Sequence, residues 1–191
     1  FVSWSFAKHN IKTGSSISSL TQDRHGNIWC SVQNNGVYLF DSKSGNAVKA
    51  SAPEGTNLVY FDRRGRLWMC TENVLYEADV TKGQYHKKAE FDCWGINAIE
   101  DDGGDMLFFS IFGKGLCAYN TQTGSIHVFS MGKPIKGCGA LGNDWVKSLF
   151  MDSRGILWIG MSEGLSCLNP RTGSFLTYGW QSQLLDCMVS A

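Results

Sequence analysis

Two carboxylates facing each other across a pocket can hydrolyse a glycosidic bond, one as acid and the other as base or nucleophile. Glu72 and Glu163 stand on equivalent connections of a repeating pattern, and Asp144 lies close in sequence to the same region. They are the candidates for that chemistry, set against the plainer reading of solvated loop carboxylates. His86 and His127 share a position three residues after a repeated glycine. They fall on outer strands that diverge, so edge packing is expected rather than a shared metal. The seven cysteines are an odd number without a CxxC pair. Cys30, Cys70, Cys117 and Cys167 sit inside apolar runs and read as small buried hydrophobes, with a single disulfide or a metal site as alternatives. No metal and no cofactor is expected.

Sugar recognition needs a different set of residues. Aromatic faces cover the C–H surface of a sugar, and planar polar groups pair with its hydroxyls. Trp94, Trp145 and Trp180 lie in or beside loops and lack any fixed place in the repeat, which makes them candidates for ligand contact, with rim packing as the alternative. The segment MGKPIKGCGALGND at 131–144 adds Lys133, Lys136 and Asn143. A long surface loop in a compact domain is often functional, though simple disorder competes. Its glycine spacing matches no phosphate-binding motif.

The elements that must hold these residues are legible from a period. Asp23, Asp62, Asp102 and Asp152 are each followed six residues later by an aromatic: Trp29, Trp68, Phe108 and Trp158. Eleven or twelve residues further comes Asp41, Asp79, Asn120 or Asn169, and four beyond that Gly45, Gly83, Gly124 or Gly173. The Asp-to-Asp steps are 39, 40 and 50, and the extra residues of the last step fall between Phe129 and Val146. A fixed period of this size marks one supersecondary unit repeated. In Asp-x-x-Gly the carboxylate accepts a backbone N–H two residues on while glycine takes the left-handed conformation, closing a hairpin. These aspartates therefore read as structural. In the third copy Asp105 stands where the others have Gly26, Gly65 and Gly155, and is expected to serve the turn in altered form.

Runs such as NIWCSV, RLWMCT, MLFFSI and ILWIGM are apolar nearly throughout, so both faces of each sheet are covered. Four-stranded sheets buried on both faces and repeating every ~40 residues are blades of a β-propeller, with one large aromatic filling the space between neighbouring sheets. The expected fold is all-β: about four four-stranded blades of a larger ring, with a four-bladed closed ring as the alternative. The segments are 1–6 as a remnant of strand d, blades at 15–50, 56–87, 94–129 and 144–178, and the start of another blade at 184–191. The opening at Phe1, without an initiator Met or signal peptide, is read as the start of a piece of a longer chain. The formal charge is zero, from 17 basic and 17 acidic residues, so no footprint for nucleic acid is expected. No apolar run approaches the ~20 residues of a membrane span.

Val146 to Asn169, and less closely Ile17 to Asp41, resemble the two-component regulator propeller repeat: an apolar strand, D-x-x-G-x-L-W-I-G-T, a short loop, G-L, an aromatic, then D or N. The likeness extends over nearly the whole chain, more loosely in the second and third copies. It implies the periplasmic sensor half of a hybrid two-component regulator, anchored in the inner membrane elsewhere, with propellers of about seven blades and a histidine kinase further along the chain. It also implies a role in detecting glycan breakdown products. The expected function is thus a non-catalytic sensor segment binding an oligosaccharide. A structural propeller making protein contacts and a propeller lyase or glycosidase are the alternatives. Expected partners are the remaining blades, the neighbouring domains and, through exposed end-blade surface, a second copy.

Overall fold

In the computed structural model, residues 15–93, 95–133 and 140–178 are described. They form sixteen strands in four antiparallel sheets, each a meander in chain order. The first sheet holds β1 (Ile17–Gln22), β2 (Ile28–Val32), β3 (Gly36–Phe40) and β4 (Ala47–Lys49). The second holds β5 (Leu58–Phe61), β6 (Leu67–Cys70), β7 (Val74–Asp79) and β8 (Gln84–Glu90). The third holds β9 (Ile96–Asp101), β10 (Met106–Ile111), β11 (Gly115–Asn120) and β12 (Ile126–Phe129). The fourth holds β13 (Val146–Met151), β14 (Leu157–Met161), β15 (Leu165–Asn169) and β16 (Ser174–Tyr178).

Burial follows composition. The four residues of β6, LWMC, are all buried, whereas β8, QYHKKAE, keeps only Ala89 from solvent. Second strands are covered on both faces and fourth strands carry the polar outer edge. β8 runs to Glu90, beyond the Lys87 end read from the sequence, because Ala89 packs inward against Leu75 as its cross-strand partner.

The chain divides into two compact units, one ending at Ile96 and the other beginning at Asn97. In the first, Trp29 and Val37 of one sheet meet Val59, Leu67 and Met69 of the next. Each fully buried side chain of this size contributes ~1.5–3 kcal/mol, so the contact between sheets outweighs any single polar bond. The polar bonds there solve a separate problem. β5 lies at the edge of its sheet, and an edge strand presents unpaired N–H groups. Val59 donates its N–H to Ser19 Oγ (2.8 Å) and Phe61 to Thr21 Oγ1 (3.0 Å). Ser31, fully buried, donates to the Asn57 carbonyl at 2.8 Å. In the second unit Phe108, Leu116 and Ala118 join Val146, Leu157, Ile159 and Phe175 in one core, with Leu141 of the preceding connection among them.

The repeated aspartates carry more than a turn. Asp23 Oδ1 accepts the N–H of His25 and Asp152 Oδ1 that of Arg154, both at 2.9 Å. The second carboxylate oxygen accepts the indole N–H six residues on: Trp29 at 3.2 Å, Trp68 at 2.9 Å and Trp158 at 3.0 Å. That bond explains the six-residue spacing. Where Phe108 replaces tryptophan no such donor exists, and the turn changes with it: the left-handed residue is Gly103 (φ 76°). Asp105 takes no such conformation, contrary to the expectation from the sequence, because Gly103 adopts it without a Cβ penalty. The second aspartate or asparagine closes the other hairpin. Asp41, Asn120 and Asn169 each accept a side-chain bond from the N–H two residues on and a 2.8 Å carbonyl bond from the glycine four residues on. The aromatics do not all fill space between sheets equally: Trp29, Trp68 and Phe108 are buried, whereas Trp158 is half-buried and stacks on Tyr178 (6.5 Å, 18°).

Candidate functional site

Two positions break the period with aromatics. Ten residues after the repeated aspartate stand Gln33, Glu72, Phe112 and Ser162; seven before it stand Ser16, Gly55, Gly95 and Trp145. The structure brings the two exceptions together. The Phe112 and Trp145 rings meet edge to face, with centroids 4.7 Å apart and planes at 90°. Both remain open to solvent, at 37% and 45% exposure, so the contact leaves ring surface available.

The backbone beneath them is held tightly. Phe112 opens the connection from β10 to β11, where Lys114 N–H returns to the Ile111 carbonyl (2.9 Å) and Gly113 takes φ 69°. Trp145 donates its N–H to Asn143 Oδ1 (2.7 Å) and accepts from Ser162 N–H (2.9 Å). Between them Asp144 accepts from Gly115 N–H with its carbonyl (3.1 Å) and from Met131 N–H with its carboxylate (2.5 Å). Lys147, next on β13, places its ammonium 5.7 Å from the centre of the Phe112 ring. A cation over an aromatic face is attracted by the ring quadrupole. The result is an exposed corner with two perpendicular rings and one ammonium.

Of the residues picked from the sequence, Trp145 and Asn143 thus come together, Asn143 as a brace for the Trp145 backbone. Lys133 is exposed, with its N–H on the Ser130 carbonyl at 3.4 Å. Trp94, Lys136 and Trp180 lie outside the described residues. Lys147 was not singled out from the sequence, and Phe112 only as the first residue of the rim connection 112–114. The signal for Phe112 was available, since the equivalent positions are all polar.

The titratable groups are mostly committed to structure. Glu72 and Glu163 are exposed, and the Asp144 carboxylate is taken up by the Met131 amide. Asp152 is held well below the usual carboxylate range by the Trp158 indole N–H, then by Ile156 N–H and Arg154, against a smaller effect of burial. For Asp23 burial is the largest influence and pushes upward. The Asn27 side chain and amide together with Trp29 and His25 outweigh it, and the net shift is downward. His127 meets Phe129 edge to face at 4.5 Å, and His86 is exposed opposite Glu77. Among the described residues no group of three or more His, Cys, Asp or Glu side chains could hold a metal ion. Among the described residues Cys30, Cys70, Cys93, Cys117 and Cys167 form no disulfide, and burial pushes Cys30 up to about 11.

Residues 140–163 match the family of the two component regulator propeller. The chain is 30% identical over 69 residues to a histidine kinase of Formosa agariphila, an alignment covering 36% of this chain and 5% of that one. The extracellular domain of a putative hybrid two component system from B. thetaiotaomicron superposes with a TM-score of 0.71 at 19% identity, over 89% of this chain and 22% of that one. A second such domain from the same organism gives 0.66 at 17%, over 89% and 25%. The β-propeller domain of Cps50 (Swd1) from Myceliophteria thermophila gives 0.69 at 15%, over 88% and 56%. The fold is a β-propeller, and the chain spans about a quarter or less of the length of the two-component domains it matches. Among the described residues no helix is long and apolar enough to cross a membrane.

Proposed function

We propose that this propeller segment, which carries the two-component regulator repeat, is a non-catalytic part of a periplasmic sensor that binds a glycan-derived oligosaccharide through its loop rim. In this reading a kinase elsewhere in the full chain receives the signal. The observation that carries the reading is the Phe112–Trp145 corner. Two aromatic rings replace the polar or small residues of the other three copies, remain exposed, and stand on backbone held by five hydrogen bonds, two of them to a neighbouring loop. Perpendicular rings can cover the C–H face of a sugar on one side while Lys147 serves its oxygens. The exposed carboxylates of Glu72 and Glu163 have no such construction around them.

The test is titration of a panel of defined oligosaccharides into the protein, with tryptophan emission and calorimetry as readouts. Phe112→Ala and Trp145→Ala should each weaken binding about tenfold, which is ~1.4 kcal/mol, and leave the thermal midpoint within a few degrees. Silence across the panel would sink the reading, and turnover of any oligosaccharide would replace it with the enzyme alternative. A second reading, a scaffold for protein contacts, draws on exposed apolar side chains of inner strands, Leu20 at 62% and Phe150 at 61%. Concentration-dependent sedimentation, unaffected by sugars, would favour it.

A further inference from the structure

A cleft of about 750 Å³ opens in the first unit between the β2–β3 connection and the chain leading from β4 to β5. That is an ordinary size for small-molecule sites, ~300–1,000 Å³. Its character is unlike the aromatic corner. No aromatic ring lines it; the side chains presented include Gln33, Asn34, Asn57, Ser18, Lys49 and Glu54. None of Trp145, Lys133 and Asn143 belongs to it, although the connections 33–35 and 51–55 are two of the rim loops that the repeat marks as places for a ligand.

We propose that this cleft is a separate binding site for a neutral, hydroxyl-rich ligand, such as a single sugar residue, held edge-on by side-chain amides rather than by stacking. A primary amide offers donor and acceptor in one plane, which matches two adjacent hydroxyls. Three such amides line the cleft, and none is engaged by a side chain or backbone group among the described residues. The neighbouring Asn35 is the one used as a brace: Tyr38 O–H donates to its Oδ1 (3.2 Å) and its Nδ2 donates to Ser15 Oγ (3.4 Å). That bracing supports Asn34 in the left-handed conformation, φ 58°, the one non-glycine residue so placed among those described. On the opposite wall Thr56 O–H and N–H both donate to the Pro53 carbonyl, at 2.7 and 3.3 Å, fixing the turn that precedes Asn57.

Asn57 supplies the second observation. Its backbone is satisfied on both sides, by the Cys70 carbonyl and by Ser31 Oγ. Its Oδ1 is buried and finds no hydrogen-bond partner among the described residues. A buried acceptor left unpaired is costly, and a rotation of the Asn57 amide toward the cleft would let an incoming hydroxyl relieve it. The charges decide against an acidic ligand. Lys49 and Glu54 are the lining residues with a formal charge, so the cleft is neutral. The Lys49 ammonium, moreover, lies over the Tyr38 ring at 6.0 Å.

The site shares a ligand class with the reading above but none of its residues, and the experiment separates them. In the uniformly ¹⁵N-labelled chain, D-glucose, myo-inositol and D-glucuronate are titrated while the side-chain amide signals of Gln33, Asn34 and Asn57 are followed. The expected result is saturable shifts at these signals with D-glucose or myo-inositol, no tighter for D-glucuronate and independent of salt. Affinity should fall at least tenfold in Asn57→Ala, or in the exposed Asn34→Ala should the first variant fold poorly, and stay unchanged in Phe112→Ala. Absence of shifts with all three probes overturns the proposal, as does equal affinity in the variants. A salt-sensitive preference for D-glucuronate overturns the neutral ligand, and loss of the shifts in Phe112→Ala assigns the binding to the aromatic corner instead.

Discussion

Asp62→Ala should destabilise the protein more than Trp68→Phe, although the two residues share one hydrogen bond. The Asp62 side chain is 1% exposed and accepts three bonds, from Trp68 Nε1 (2.9 Å), Arg66 Nε (2.7 Å) and Arg66 N–H (2.8 Å). Removing the carboxylate strands a buried indole N–H, at ~1–3 kcal/mol, and breaks a turn bond worth ~1 kcal/mol. The Arg66 pair adds ~1 kcal/mol or less, since its guanidinium is 24% exposed and screened by water. The sum is about 2–5 kcal/mol, a large share of an ordinary stability of ~5–15 kcal/mol. Trp68→Phe leaves both Arg66 bonds in place. It forfeits one net hydrogen bond, ~0.5–1.5 kcal/mol, and opens a small void, so about 2 kcal/mol is expected. Phe108 in the third sheet shows that the blade tolerates that replacement. Urea unfolding followed by far-ultraviolet circular dichroism, with the slope held common, gives both values. If Asp62→Ala costs no more than Trp68→Phe, the carboxylate is not the organising group of the hairpin.

Two further outcomes follow from the same bonds and turns. Asp23 and Asp152 sit below their unfolded values near ~4, so their stabilisation is complete above that pH and is lost as pH falls through the depressed folded values. Urea midpoints should therefore be flat from neutrality to about pH 5 and decline in acid. Asp152→Asn should decline less steeply, and an unchanged slope would remove Asp152 from the account. Gly115→Ala should cost more than ~3 kcal/mol, because a Cβ there would overlap the Phe129 carbonyl oxygen at φ 99°. Gly155→Ala, with φ 79° and nothing within 4 Å, should cost only ~1–2 kcal/mol; similar losses for both would refute the steric argument.

The architecture was legible because the residues that close each sheet recur at fixed offsets, and backbone geometry dictates those offsets. The meaning of one offset was not. An aromatic six residues after an aspartate reads as a packing residue, since nothing in a one-dimensional pattern shows that the indole N–H turns back to the carboxylate. Asp105 misled for a related reason: alignment by count placed it at the glycine position, while the backbone used Gly103, two residues earlier. The candidate site was half visible. Trp145 stood out as an aromatic without a period, while its partner Phe112 was legible only as part of a rim connection, 112–114. The amide cleft was less visible still. Gln33 and Asn34 belong to a rim connection legible in the sequence but Asn57 does not, and only the fold brings residues 24 apart in the chain to one cavity.

The bonds that recur and those that do not divide along a boundary with a bearing on how such a chain grows. Every recurring bond, from aspartate to indole and from glycine to the second aspartate or asparagine, begins and ends within one sheet. The hydroxyl bonds from Ser19 and Thr21 to the next sheet are not repeated from the third copy, which has Ala98 and Glu100 at the corresponding places. A duplicated copy would therefore arrive with its own hairpins already specified, and only its side-chain links to the new neighbours would need to be remade. Copies can multiply before they specialise, and their order along the chain is written in the links between sheets.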